Sequence, residues 1–163
     1  MTDVDTTTNT FDPDQFMNTT VDAPMATSLQ SVPAGEYTAM VGDFDSRALK
    51  TVNTKNGPRP VLEVPFTIQD DKLKAQLGRE TVTHRESYWL DFLPGSASLD
   101  TGPDKNVRLG QLREALGQNK KNEPWAPSML RNMGPLRIKV TTTSDKDDPE
   151  KKYTNISKYS KIS

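Results

Sequence analysis

The feature that most constrains this chain is a strict two-residue alternation of side-chain character in three separate stretches. From Val61 to Gln69, Leu62, Val64, Phe66 and Ile68 fall on one side, and Glu63, Pro65 and Thr67 on the other. From Leu136 to Thr142, Leu136, Ile138 and Val140 oppose Arg137, Lys139 and Thr141. Between them, Glu80 to Leu93 sorts into an even set (Val82, His84, Glu86, Tyr88, Leu90, Phe92) and an odd set (Thr83, Arg85, Ser87, Trp89, Asp91). A period of two belongs to a strand with one buried face. In the middle stretch the even set reads as core only towards its C-terminal end, because His84 and Glu86 precede the apolar run.

The rest of the body completes a mainly β pattern. Glu36 to Gly42 reads as a first strand with Tyr37, Ala39 and Val41 on one face. It continues, after a bend near Gly42 and Asp43, through Arg47, Leu49 and Val52. Asn53 to Pro58 is a turn signal, rich in Asn, Gly and Pro. Pro65 cannot donate to a ladder, so an edge or a bulge is expected there. Asp70, Asp71, Lys72 and Lys74 read as a charged connection. One helix stands out by its stripe of Val107, Leu112, Ala115 and Leu116, with Asn106 or Asp104 to cap it and Gly117 to end it. The segment 122–134 reads as loop with one helical turn after Pro127. Residues 144–150 form a polar hairpin loop, and Lys152 to Ile162 a fifth strand.

Strand, strand, strand, helix, strand, strand is the order of an OB-like five-stranded Greek-key barrel, with its helix between the third and fourth strands. A β-sandwich with an inserted helix is the alternative. The 163 residues suit one domain. We place its body at residues 33–163 and a flexible acidic N-terminal arm at residues 1–32. Pro13 and Pro24 argue against a long helix in the arm. Phe11, Phe16 and Met17 lie among acids there and are its candidate partner-binding residues, able to dock on a partner or on their own domain.

Charge divides along the same boundary. Residues 1–32 hold Asp3, Asp5, Asp12, Asp14 and Asp22 and no Lys or Arg, whereas the remainder carries 21 basic against 17 acidic residues. A basic body with an acidic arm fits nucleic-acid contact, and it also fits a solvated surface with a solubilising tail. The first ten residues lack the basic and apolar regions of a signal peptide. No apolar run approaches the roughly 20 residues that span a bilayer. With no cysteine in the chain, neither a disulfide framework nor a thiolate zinc site is possible. These points suggest a cytoplasmic location, with no membrane partner.

Catalysis finds little support. His84 is the single histidine, and no Gly-rich phosphate cradle is present. The carboxylate pairs Asp43/Asp45, Asp70/Asp71 and Asp147/Asp148 fall in turns, where acids serve local hydrogen bonds. No enzyme activity, metal or cofactor is expected. Binding fits better. Arg85 and Trp89 share the face opposite the aliphatic core, so a base can stack on the indole while the guanidinium meets phosphate. OB-folds bind oligonucleotides on strands 2–3 and the flanking loops. Lys50, Lys55 and Arg59 would flank the first loop, and Lys151, Lys152 and Tyr153 the second, with Arg137 and Lys139 on the fourth strand. Trp125, between two prolines, reads as a loop anchor.

Four phrases, FMNTTVDAPM, VPAGEYTAMV, NVRLGQLREALGQN followed by PWAP, and GPLRIKVTTTSDKDDPEKKYTNISKYSKI, resemble a family of small phage proteins of replication and recombination modules. The resemblance implies a single-stranded-DNA-binding protein, with replication or recombination proteins as further partners and homo-oligomerisation open. It transfers no site residues. The acids stand at the N-terminus, not in the C-terminal tail usual for single-strand-binding proteins. A second expectation is therefore a virion structural or capsid decoration protein, located in the virion, whose arm meets capsid proteins.

Overall fold

The computed structural model describes residues 11–27 and 30–162. Its strands are β1 (Gly35–Val41), β2 (Leu49–Thr54), β3 (Gly57–Ile68), β4 (Val82–Trp89), β5 (Leu136–Ser144) and β6 (Lys152–Lys161). Its α-helices are α1 (Pro13–Asn18), α2 (Asp71–Leu77) and α3 (Val107–Ala115). All these strands share one antiparallel six-stranded sheet. A sandwich of two sheets is thereby replaced by a single sheet among the described residues.

The expected bent first strand is two strands. Asp45 accepts from the Arg47 amide at 2.9 Å and opens a 3₁₀ turn over Ser46–Ala48, which separates β1 from β2. Both then pair with the same edge of β3: β2 with Gly57–Leu62, and β1 with Phe66–Ile68. Pro65 lies in the gap between those partners, so its missing N–H is tolerated inside the sheet without a free edge or a bulge. The other edge of β3 carries β4 over Val61–Ile68. Beyond β1 lie β5 and then β6.

The alternation predicts the core well. Ala39, Val41, Val64, Phe66, Ile68, Val82, Tyr88, Leu136, Ile138, Val140 and Ile156 are buried on the inner face, covered by Leu109, Leu112 and Ala115 of α3. Each large aliphatic or aromatic side chain contributes about 1.5–3 kcal/mol by leaving water. Two details differ from expectation. Leu109 takes the place assigned to Val107, which is exposed. The charged connection after β3 folds as α2: Asp70 accepts from the Leu73 amide at 3.1 Å, Leu73 is buried, and Gly78 ends the helix at φ 66°.

The expected barrel closure is absent. No backbone ladder joins β4 to β6. Side chains occupy that seam. Glu86, only 1% exposed, accepts from the Ile156 amide at 3.2 Å, and Arg108 donates to the Ile156 carbonyl at 3.0 Å. Arg108 also pairs with Glu86 and donates to the Ser87 carbonyl at 3.1 Å. A carboxylate and a guanidinium thus satisfy both backbone groups of Ile156, as a neighbouring strand would. His84 Nε2 lies 2.7 Å from the other Glu86 oxygen, and the Tyr88 and Tyr159 hydroxyls bond across the same seam. His84 and Glu86 are therefore core, contrary to the expectation that only the C-terminal even positions are buried.

Candidate functional site

The odd positions of β4 point away from that core. Register places Trp89 beside Val61 of β3, Ser87 beside Glu63 and Arg85 beside Pro65; Lys50 of β2 sits on the far side of Val61. Cross-strand neighbours share a face, so Lys50, Arg59, Glu63, Arg85 and Trp89 stand together on the outer side of β2–β3–β4. Trp89 is 43% exposed, and the Arg59 guanidinium lies 5.3 Å from its ring centroid. An indole at this exposure on a strand face leaves much of its ring open to a planar partner, and the guanidinium adds a cation–π contact.

Most cations here are already paired. Arg59 lies 3.4 Å from Asp91, and Lys50 is 3.1 Å from Glu63. Next to them opens a cleft of about 530 Å³, lined by Asp43, Asp45, Arg47, Lys50, Glu63, Arg85 and Arg131. Within it, Arg47 pairs with Asp45 at 2.8 Å and Arg131 with Asp43 at 2.7 Å. The hydrogen bonds from Arg47 hold the Asp45 carboxyl down at about 2. Every carboxylate of the cleft is matched to one cation. Arg85 is the cation left over, with no ion pair among the described residues. Lys55, exposed at the β2–β3 turn, is likewise unpaired among them.

The other candidate cations form a second group. Arg137 and Lys139 project outward from β5, with Arg137 at 3.8 Å from Glu36. Lys158 of β6 stands directly opposite Lys139. Like charges in that relation repel, typically by a few tenths of a kcal/mol to about 1 kcal/mol, and an anion would relieve them. Lys158 was not among the sequence candidates, since only the register of β5 on β6 brings it there. Lys151, Lys152 and Tyr153 lie at the β5–β6 turn, where the Tyr153 hydroxyl donates to Asp145 at 2.8 Å and Lys151 lies 5.7 Å from the Tyr153 ring centroid. Because β1 runs antiparallel to both β3 and β5, this turn lies off the opposite end of the sheet from Trp89.

The structure thus gathers Lys50, Arg59, Arg85 and Trp89, sets Lys55 at their margin, and holds Arg137 and Lys139 apart from them. From Arg85 the outer face passes through Thr67 and Met40 to Arg137, on the order of 20 Å by strand spacing and rise. Lys151, Lys152 and Tyr153 are farther still. Trp125 is the loop anchor expected: its Nε1 donates to Gln118 at 2.9 Å and Arg113 stacks on it at 4.2 Å. Phe11, Phe16 and Met17 are exposed on or beside α1, while Asp3 and Asp5 of the arm lie outside the described residues. No group of three His, Cys, Asp or Glu fit to hold a metal occurs among the described residues, and no helix there is long and apolar enough to cross a membrane. Comparison of the chain with protein-family models, with curated proteins and with solved structures finds no match.

Proposed function

We propose that this chain is a non-enzymatic, sequence-tolerant single-stranded-DNA-binding protein of a phage replication or recombination system, acting in the host cytoplasm. The observation that carries the reading is Trp89, exposed on the outer side of β4 with Arg59 against its ring and, four residues before it on the same face of the strand, Arg85, which has no ion pair among the described residues. Stacking of a base on such a ring is worth about 1–3 kcal/mol and accepts any base. Arg85 supplies the phosphate contact. In this reading the domain is an OB-like Greek key left open. β1 and β2 together play the first strand, and β3 and β4 form the binding face. The Glu86–Arg108 seam stands where the barrel would close. Lys139 and Lys158 extend the track for a longer strand.

The test is a titration of fluorescent oligo-dT at several salt concentrations. Binding should weaken steeply with salt, log K falling by roughly 0.7 per phosphate contact per log unit. Affinity that ignores salt, or no binding at low salt, contradicts the reading. A second reading, a virion decoration or accessory protein, draws on the arm, whose helix buries none of its own residues. Mass spectrometry of purified particles separates the two, since a stoichiometric virion component supports only the second.

A further inference from the structure

The arm helix α1 is specified by local chemistry alone. Asp12 accepts from the Asp14 amide at 3.0 Å and from the Gln15 amide at 3.4 Å, and Pro13 occupies the first helical position. Phe11, just before the cap, packs on Phe16 with ring centroids 5.5 Å apart. Cap, proline and this apolar staple fix a helix entry. Yet six residues are far below the roughly 12–15 needed for a stable isolated helix in water, and none is buried. Phe11, Phe16 and Met17 are 70%, 61% and 76% exposed. A preorganised recognition element is left without its counterpart.

The body carries a matching seat. Leu49, Leu62, Leu90, Phe92, Leu99 and Trp125 line an apolar groove of about 870 Å³ between the inner face of β2–β3 and the loops that follow β4 and α3. Leu49 is half exposed within it. Arg113 and Arg131 line it together with Asp45 and Glu123; Arg131 is taken by Asp43 at 2.7 Å, whereas Arg113 has no carboxylate partner among the described residues. Towards Arg113 the arm is complementary: residues 11–27 carry Asp12, Asp14 and Asp22 and no basic residue.

We propose that the groove is the seat for α1 of a second copy of this chain, so that two copies exchange arms. Residues 11–27 are all exposed, and a connection of about 12 residues spans at most about 40 Å. The same length lets α1 cross to a neighbour. Two phenylalanines bury roughly 300–500 Å² per arm; with the groove surface they cover and two reciprocal arms, the total approaches the roughly 1,600 Å² of a standard interface. The inference is independent of nucleic-acid binding.

The absence of cysteine makes a clean test available. Full-length Phe16→Cys, isotopically heavy, is mixed with full-length light Leu49→Cys under mild oxidation, and linked peptides are read by mass spectrometry. A 16–49 link joining heavy to light chains is the expected result. Its absence overturns the proposal. In a Phe16→Cys/Leu49→Cys double variant diluted to low concentration, a 16–49 link confined to single chains, with none between chains in the mixture, overturns it in favour of self-docking. Sedimentation of the unmodified protein should show a dimer that Phe16→Asp/Met17→Asp converts to monomer. Because α1 supports nothing in the body, that variant keeps its fold, and a wild-type chain that is monomeric at all concentrations also overturns the proposal.

Discussion

The two sides of β4 teach different lessons. Its inner side places His84, Glu86 and Tyr88 in a buried seam, where Glu86 and Tyr88 find partners on β6 and His84 finds one in Glu86. Its outer side places Arg85, Ser87 and Trp89 in water, and Arg85 has no charged partner among the described residues. A buried charge pair that loses one member becomes a liability, whereas an exposed unpaired cation costs little until an anion arrives. On the proposed reading, one strand separates stability from recognition by nothing more than the parity of residue numbers. Substitutions on the two sides should show opposite signatures.

The largest effect is expected on the inner side. Arg108→Ala strands the Glu86 carboxylate and should cost about 3 kcal/mol in chemical denaturation, the lower end of the range for broken buried pairs because Arg108 is itself partly exposed. Oligo-dT affinity of the folded protein should change less than twofold. On the outer side, Trp89→Ala should weaken oligo-dT binding by about 2 kcal/mol, some thirtyfold, with a stability change within about 0.5 kcal/mol. A large stability loss in that variant would break the comparison. Arg85→Ala should weaken binding several-fold and lower the salt slope by about 0.7. Arg137→Ala, on the distant group, should do so only with oligonucleotides long enough to cross the face.

The mildest test is alkaline. Burial, with Tyr159 and Glu86 close by, pushes the Tyr88 phenol well above its usual range, and burial likewise raises Tyr159. Below about pH 10 both phenols are neutral whether the chain is folded or not, so their contribution is fully present. Above that pH the unfolded chain releases protons that the native seam retains, and stability falls as pH rises. Tyr159→Phe should flatten that decline in denaturation midpoints measured from pH 8 to 11.

Much of the fold was legible because alternation encodes a face directly: Leu62 to Ile68 and Leu136 to Val140 point where their parity says. The outward direction of Trp89 and Arg85 followed from the same rule. What escaped depends on partners far along the chain. Nothing near Glu86 announces Arg108, 22 residues on, so two polar residues in a core set looked like a strand leaving the core. The split of the first strand turned on one Asp45 cap, and α2 on the Asp70 cap with Gly78, a local signal that the surrounding charge obscured. The like-charged pair of Lys139 and Lys158 exists only through register. Pairing likewise decided which basic residues remain available, since Lys50 and Arg59 had acidic neighbours that alternation cannot reveal.

The central claim, that bases stack on the outer side of β4, is tested most directly by the emission of Trp89 itself. In a Trp125→Phe protein, Trp89 is the only indole. Added oligo-dT should quench its fluorescence, saturating at the concentrations where the anisotropy of a labelled oligonucleotide reaches its plateau. An emission that stays unchanged while the oligonucleotide binds would place the contact elsewhere and contradict the account.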